Sequence, residues 1–281
     1  MIFKLHYYLI LILRALYRLG PYVLISRLFF LARLVITKAK TDFTVTFGLK
    51  SFKFCFVDKG AHRGGRGLFL FREQIEDLMR FGHIFLKDGD VALDIGANQG
   101  IYSLAFASAV GASGHVIAVE PMTYACEALE QNKKLNNYQN IDTYIGVVSD
   151  KNGIIKLDFS SGVGFASITR DYGGNETLKV NSITLDEIAI KYKLERLDFI
   201  KLDIEGAEKL AINGGVNTIK RFLPIICLEC ENDRFNEMIA LMRSFNYEPK
   251  IFNNSGNLVS CYDLNEFIRS KKNQIFFVEK K

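Results

Sequence analysis

Residues Val91 to Ser103, VALDIGANQGIYS, constrain the fold more than any other stretch of the 281-residue chain. A short apolar run reaches Asp94 and breaks at once into Gly96 and Gly100, which predicts a buried strand turning tightly into a helix. Glycines in such a turn let the backbone bend sharply and come close to a ligand, while the first N–H groups of the helix point toward it. Asp94, at the carboxyl end of the strand, looks into the crevice where open α/β sheets bind ligands. Twenty residues beyond Gly100 a second apolar run, HVIAVE, closes on Glu120. A carboxylate there is placed to accept hydrogen bonds from ribose hydroxyls.

The glycine spacing separates two classes of cofactor. A dinucleotide site asks for G-x-G-x-x-G, so that the pyrophosphate sits against the helix N-terminus. Here Asn98 stands where the second glycine would be, and the acidic Asp94 lies two residues before Gly96. That pattern suits a ligand carrying positive charge and no phosphate, as S-adenosylmethionine does with its sulfonium and amino groups. A purely structural glycine turn is the bland alternative.

The chain carries a formal charge of +5, but its distribution is uneven. Residues 1–41 hold Lys4, Arg14, Arg18, Arg27, Arg33, Lys38 and Lys40 with no acid, so the remaining residues carry a net −2. The body therefore shows no nucleic-acid footprint. Residues 2–36 are strongly apolar, yet the longest stretch between Lys and Arg residues runs only from Leu5 to Leu13, too short for the roughly 20 residues that span a bilayer. Two short helices broken at Gly20–Pro21 are expected, lying on the cytoplasmic face of a membrane with arginines among anionic headgroups. Packing on protein is the alternative. Cys55, Cys126, Cys227, Cys230 and Cys261 are odd in number and scattered, and Cys227 and Cys230 fall on opposite faces of one strand. They read as buried thiols of a reducing compartment, with no metal-ligand set.

Alternation of Phe43, Val45 and Phe47 with Phe52, Phe54 and Phe56 about Gly48 predicts a hairpin over residues 42–58. The loop DKGAHRGGRG, residues 58–67, has two readings, a mobile lid gripping an anionic or sugar substrate through His62, Arg63 and Arg66, or a solvated loop. Helical spacing follows over residues 72–86. After Glu120, a helix is expected from Pro121 to about Leu135, stopped by Asn136 and Asn137, then a strand over residues 141–150. Residues 153–183 read as a strand insertion. Thr184 and Glu187 form a capping box for a helix. Later elements are a strand at 224–230, a helix near 234–245, strands near 248–252 and 274–278, and a helix at 263–268 capped by Asp263.

The second informative stretch is LDFIKLDIEGAEKLAINGG, residues 197–215. A buried parallel strand should be purely apolar, yet this one carries Lys201 and Asp203 on one face, about 6.6 Å apart along the strand. Glu205 and Glu208 are expected on the helix that follows, sharing a face. A structural Lys201–Asp203 pair with ordinary first-turn acids is the alternative.

Taken together, DIGANQGIYSL, VEP at 119–121, VVSD at 147–150, TLDE at 184–187 and IKLDIEGAE followed by a strand ending in LE resemble the FkbM methyltransferases, over roughly residues 88–230. The resemblance implies the class I methyltransferase fold, a Rossmann-like α/β domain with a seven-stranded sheet, helices on both faces and an antiparallel last hairpin. It implies S-adenosyl-L-methionine as cofactor and a hydroxyl acceptor, often on a sugar or polyketide-type product. Asp94, Gly96, Asn98 and Gly100 would line its methionine end and Glu120 its ribose, while Asp203 and Glu205 would face the transferring methyl. Asp203 is the first candidate for orienting the acceptor and taking its proton, Glu205 the second, with His62 behind them.

The expected organisation is an extension over residues 1–41, a hairpin, loop and helix over 42–88, and a cofactor-binding domain over 89–281. The leading function is O-methyl transfer to a saccharide or lipid-linked glycan at the membrane surface. A nicotinamide-dependent oxidoreductase and a non-catalytic cofactor-binding protein are the competitors. The oligomeric state is left open.

Overall fold

The computed structural model describes residues 20–37, 42–55, 76–159, 167–169, 177–270 and 272–280, with the backbone alone for residues 30–37. The first predicted N-terminal helix, the loop with His62, the start of the helix predicted at residue 72 and part of the strand insertion lie outside these residues.

In chain order the elements are α1 (Pro21–Thr37), β1 (Asp42–Phe47), β2 (Lys50–Cys55), α2 (Asp77–Phe81), β3 (Val91–Ile95), α3 (Ile101–Val110), β4 (His115–Glu120) and α4 (Thr123–Leu135). There follow β5 (Ile141–Ile145), β6 (Val147–Val148), β7 (Gly153–Asp158), β8 (Thr177–Ile183), α5 (Leu185–Lys191), β9 (Phe199–Leu202), α6 (Glu208–Asn213) and α7 (Val216–Phe222). The chain closes with β10 (Ile225–Glu229), α8 (Phe235–Arg243), β11 (Tyr247–Phe252), β12 (Leu258–Ser260), α9 (Leu264–Ser270) and β13 (Gln274–Glu279).

Eight strands form the main sheet in the order β12-β11-β13-β10-β9-β3-β4-β5, and β10, β9, β3, β4 and β5 run parallel. The order reverses between β3 and β9, which opens a crevice at the carboxyl edge. The sheet exceeds the seven expected strands by the short edge strand β12, which pairs with β11. Its three residues are too few for alternation to show in sequence. The antiparallel partners β11 and β13 do pair, but β12 and α9 intervene between them.

Alternation along the strands divides the core. Ala92, Phe199 and Cys227 face α3 and the β1–β2 hairpin, whereas Leu93, Ile200 and Ile226 face α5 to α9. The hairpin is a separate two-stranded sheet whose Phe43, Val45, Phe47, Phe52 and Phe54 are buried against α3 and its neighbours. Its edge is satisfied by α4, since Asn132 Oδ1 accepts from Cys55 N–H at 2.8 Å and Asn136 Oδ1 from Lys53 N–H at 2.7 Å. Thr184 Oγ1 accepts from Glu187 N–H at 3.0 Å and Asp263 Oδ1 from Glu266 N–H at 2.9 Å, but the capping box expected at Thr184 is only half formed, because Thr184 N–H donates to Asn152 Oδ1 at 2.8 Å and not to Glu187.

Two expectations fail for local reasons. The strand read over residues 141–150 breaks at Gly146, whose N–H still reaches Glu120 O at 3.1 Å before the chain leaves the main sheet for a three-stranded one, ordered β6-β8-β7. A Cβ at Gly146 would lie 2.6 Å from Asn181 O, so only glycine lets the two sheets meet there. Glu205 does not share a helix with Glu208. It takes φ +52°, Gly206 takes φ +99°, and α6 begins only at Glu208. The Glu208 carboxylate reaches back to accept from Ile204 and Gly206 N–H at 3.3 and 3.2 Å, holding the intervening residues in a turn.

Candidate functional site

The carboxyl ends of β3, β4 and β9 surround a crevice. Gly96, Asn98, Glu120, Asp203 and Glu205 line it. The acids Glu120, Asp203 and Glu205 thus share one hollow, although they come from the ends of two strands, β4 and β9, that are far apart in sequence.

Each wall has a local cause. Gly96 takes φ +81°, and a Cβ there would sit 1.9 Å from Asp203 O, so the ends of β3 and β9 close together only because that atom is missing. Its N–H and that of Ala97 both donate to Val119 O, at 2.9 and 3.0 Å. Asn98 takes φ +49°, and its N–H donates to Glu120 Oε2 at 2.9 Å. Glu120 Oε1 accepts from Met122 N–H at 3.0 Å. The carboxylate therefore binds the two turns together and keeps lone pairs for hydroxyl donors. Burial pushes the Glu120 carboxyl up to about 7, against the lowering effect of those two backbone bonds.

Gly100 and Asp94 sit elsewhere. Gly100 lies off the crevice, and a Cβ on it would meet Leu129 Cδ1 at 2.1 Å, so this glycine serves the packing of α3 on α4. Asp94 is fully buried beneath the crevice, where its Oδ2 accepts from Ser103 Oγ–H at 2.6 Å. Its Oδ1 has no hydrogen-bond partner, and Lys201 Nζ stands 3.8 Å away. Burial holds the Asp94 carboxyl above its ordinary value, with Lys201 opposing.

Register explains why these charges meet. Asp94, Lys201 and Cys227 are direct neighbours across β3, β9 and β10, all on the α3 face, and Glu229 is paired with Gln274. Lys201 is only 3% exposed. Its ammonium donates to Asp203 Oδ2 at 3.1 Å and lies 4.8 Å from the Tyr102 ring centroid. The acids around it keep it protonated despite burial. Tyr102 O–H donates to Glu76, whose Oε2 also accepts from Gln274 Nε2 at 2.8 Å. Asp203 and Glu229 are hydrogen-bonded to each other, and Asn273 Nδ2 donates to Glu229 Oε1 at 3.0 Å. Burial pushes the Asp203 carboxyl up, but Lys201 and the hydrogen bonds outweigh it and hold the group below its usual range. The charge on Asp203, then burial, drives Glu229 well above its own.

Glu76, Tyr102, Glu229 and Gln274 were not read as site residues from sequence. Glu229 had a usable signal, since it ends a strand and shares parity with Cys227, but the signal acquires meaning only once β10 is known to lie beside β9. Among the described residues no group of three or more His, Cys, Asp or Glu is arranged to hold a metal ion.

The residues fit a cationic, phosphate-free cofactor. Acids outnumber the one lysine around the crevice, and the Gly96 and Asn98 N–H groups that would cradle a pyrophosphate are already committed.

Comparisons with solved structures give methyltransferases. The chain is similar to a methyltransferase FkbM from Methylobacillus flagellatus KT at 12% identity and a TM-score of 0.45, covering 79% of this chain and 56% of that one. It thus spans little more than half the length of that relative. It is also similar to a putative rRNA-methylase from Clostridium thermocellum, with 10% identity, a TM-score of 0.44 and 70% and 89% of the two chains covered. A third is fibrillarin from Aeropyrum pernix, solved with natively bound S-adenosyl-L-methionine, at 12% identity and a TM-score of 0.42, with 72% of each chain covered. No curated protein matches the chain. A family model described as the methyltransferase FkbM domain matches residues 94–249, more than half of the chain, and this protein belongs to that family.

Proposed function

We propose that this S-adenosylmethionine-dependent methyltransferase acts on a hydroxyl of a saccharide or lipid-linked glycan, at the cytoplasmic face of a membrane. The observation that carries the catalytic part is the shared crevice, with Glu120 on one wall and Asp203 and Glu205 on the other. Glu120 holds the ribose of the cofactor, the Gly96–Asn98 turn its methionine end, and Asp94 contributes charge from below. When bound, the cofactor supplies a methyl group already activated by its sulfonium. The chain has then to align an acceptor oxygen in line, about 3 Å from the methyl, and to accommodate the departing proton. The Asp203 carboxylate, kept ionised by Lys201, accepts a hydrogen bond from the acceptor hydroxyl and orients it. A carboxylate held below its usual range is a weak base, so its contribution is orientation and charge stabilisation more than deep proton abstraction. Glu205 stands beside it in the crevice.

The membrane part is supported by α1. Its Tyr22, Ile25, Leu28 and Phe29 are exposed, and residues 1–41 are cationic throughout. No helix among the described residues is long and apolar enough to cross a membrane. All five cysteines are free thiols, in keeping with a reducing compartment.

Calorimetry with S-adenosylmethionine and with NAD, followed by Asp203→Asn, tests the catalytic reading. Cofactor binding without NAD binding is expected, and the variant should lose turnover on a cell glycan extract while cofactor affinity stays within a few-fold, by equilibrium dialysis. A variant with normal turnover removes Asp203 from the chemistry.

A further inference from the structure

We propose that Ser167 is a positioning residue for methyl transfer: from the strand insertion that walls the cofactor side of the crevice it holds the turn carrying Glu205, so that filling the crevice sets the acceptor side. The inference rests on the methyl-transfer reading above and extends it to how the two sides of the site are joined. The turn starts directly after Asp203, the group that orients the acceptor, and its backbone is gripped from three directions. Glu208 accepts from the Ile204 and Gly206 N–H groups at 3.3 and 3.2 Å, Arg234 Nη1 donates to Gly206 O, and Ser167 Oγ–H donates to Glu205 O at 2.9 Å. Such a grip is needed because Glu205, at φ +52°, occupies a region unfavourable to a residue with a Cβ. Glu208 opens the helix that follows the turn, and Arg234 lies just before α8. Of the three, Ser167 is the one that reaches in from the cofactor's wall.

Register joins Ser167 to the crevice. Ser167 and Asp158 form an antiparallel bridge, in which Asp158 N–H donates to Ser167 O at 2.9 Å and Ser167 N–H to Asp158 O at 2.8 Å. That register sets Leu157 opposite Ile168, and successive residues of a strand point to opposite sides. Leu157 and Ile168 accordingly line the crevice together, beside Val147 and Val148, whereas the Ser167 side chain turns to Glu205. An apolar wall of this kind suits the flat base of the cofactor's nucleoside, and a base seated there packs on Ile168 and steadies the segment. The Ser167 hydroxyl is 1% exposed, and its oxygen accepts from Thr169 N–H at 3.2 Å and lies 3.2 Å from Thr169 Oγ1, so its proton is directed to the Glu205 carbonyl. A ligand shifts an equilibrium only by what it contributes differentially to the two states. Here the link is one hydrogen bond, which sets the scale at about fivefold.

The test uses the full chain and S-adenosylhomocysteine, which lacks the transferring methyl and so leaves the acceptor side open. Calorimetry first establishes that it binds. Amide hydrogen exchange read by mass spectrometry then follows residues 203–208 with and without it. Saturating S-adenosylhomocysteine should slow exchange in this segment about fivefold in the wild type. In Ser167→Ala the slowing should fall below about twofold, while affinity for S-adenosylhomocysteine stays within about threefold, and Ser167→Thr, which keeps the hydroxyl, should restore it. A serine of structural value alone would speed exchange equally in the free and bound chain and leave the ratio between them unchanged. That result, a wild type whose segment does not respond to S-adenosylhomocysteine, or a folded Ser167→Thr that fails to restore the response would each overturn the inference. If a Ser167 variant does not fold, Ile168→Ala at saturating S-adenosylhomocysteine decides: a response below about twofold supports the link, and a wild-type response overturns it. A chain that binds no S-adenosylhomocysteine removes the methyl-transfer reading itself, and this inference with it.

Discussion

Replacing Lys201 by methionine takes the ammonium out of a buried acid cluster while keeping the length and most of the volume of the side chain. Its Nζ lies 3.1 Å from Asp203 and 3.8 Å from Asp94. At an effective dielectric near 20 those separations correspond to about 5 and about 4 kcal/mol of gross attraction. Most of this repays the cost of burying Lys201, and the Asp203 part is further discounted because that side chain is 32% exposed. Losing one partner of a buried pair typically costs about 3–5 kcal/mol, because the stranded carboxylates keep their desolvation penalty. The pH dependence gives a second handle. In the variant, Asp94 and Asp203 have folded pKa values above their unfolded ones. An acid raised on folding is most stabilising below its unfolded pKa and loses that contribution as pH rises through the folded value. The deficit relative to wild type should therefore be largest near pH 8 and shrink toward pH 5. Urea titrations at both values, with equal m, measure it as a shift in midpoint. A deficit under about 1 kcal/mol at pH 8, or one that does not shrink on acidification, refutes the claim that Lys201 neutralises this cluster.

Affinity for S-adenosylmethionine should rise with pH through about 7, the value to which burial lifts Glu120, because only its ionised form accepts both ribose hydroxyls. Calorimetry at pH 6 and pH 8 should differ by about tenfold with proton release at the lower value, and a flat profile removes Glu120 from the cofactor site. Gly96→Ala should cost more than about 3 kcal/mol in chemical denaturation, since its Cβ would meet Asp203 O at 1.9 Å with φ at +81°, and a cost below about 1 kcal/mol would mean that the strand ends are free to part. Tyr22→Glu with Phe29→Glu changes side chains that are 87% and 76% exposed, so the fold should be untouched while co-flotation with anionic vesicles is lost. Unchanged flotation would point to docking of α1 on protein.

The fold was legible where one element carries its own explanation. Val91 to Glu120 announce a strand, a glycine turn, a helix and a second strand without reference to anything distant, and the N-caps at Thr184 and Asp263 do the same. Illegible parts depend on what lies across the sheet. Gly146 breaks a strand because Asn181 is close, a fact absent from residues 141–150 themselves. Glu205 leaves the helix because Glu208 turns back on the chain, and the spacing of three residues that suggested one helical face equally suits that reach-back bond. Gly100 looked like a ligand contact because glycine in a turn signals close approach, but the approaching group is Leu129.

The site was half legible for a related reason. Each acid that ends a strand could be recognised singly, and Lys201 was conspicuous in a strand that should have been apolar. What a linear sequence withholds is parity across strands. Asp94, Lys201 and Cys227 become neighbours only when β3, β9 and β10 are laid side by side in register, and that alignment puts Asp203 and Glu229 on the same face one step further along. Consequently the sequence presents Lys201–Asp203 as a local pair, whereas the fold makes Lys201 the centre of an assembly reaching Glu76 on the segment before α2 and Gln274 on β13. The face opposite holds Leu93, Ile95, Ile200 and Leu202 and is wholly apolar. One face of four adjacent strand ends is thus given over to charge while the other sustains the core, and that division allows a crevice of carboxylates to stand on a stable sheet.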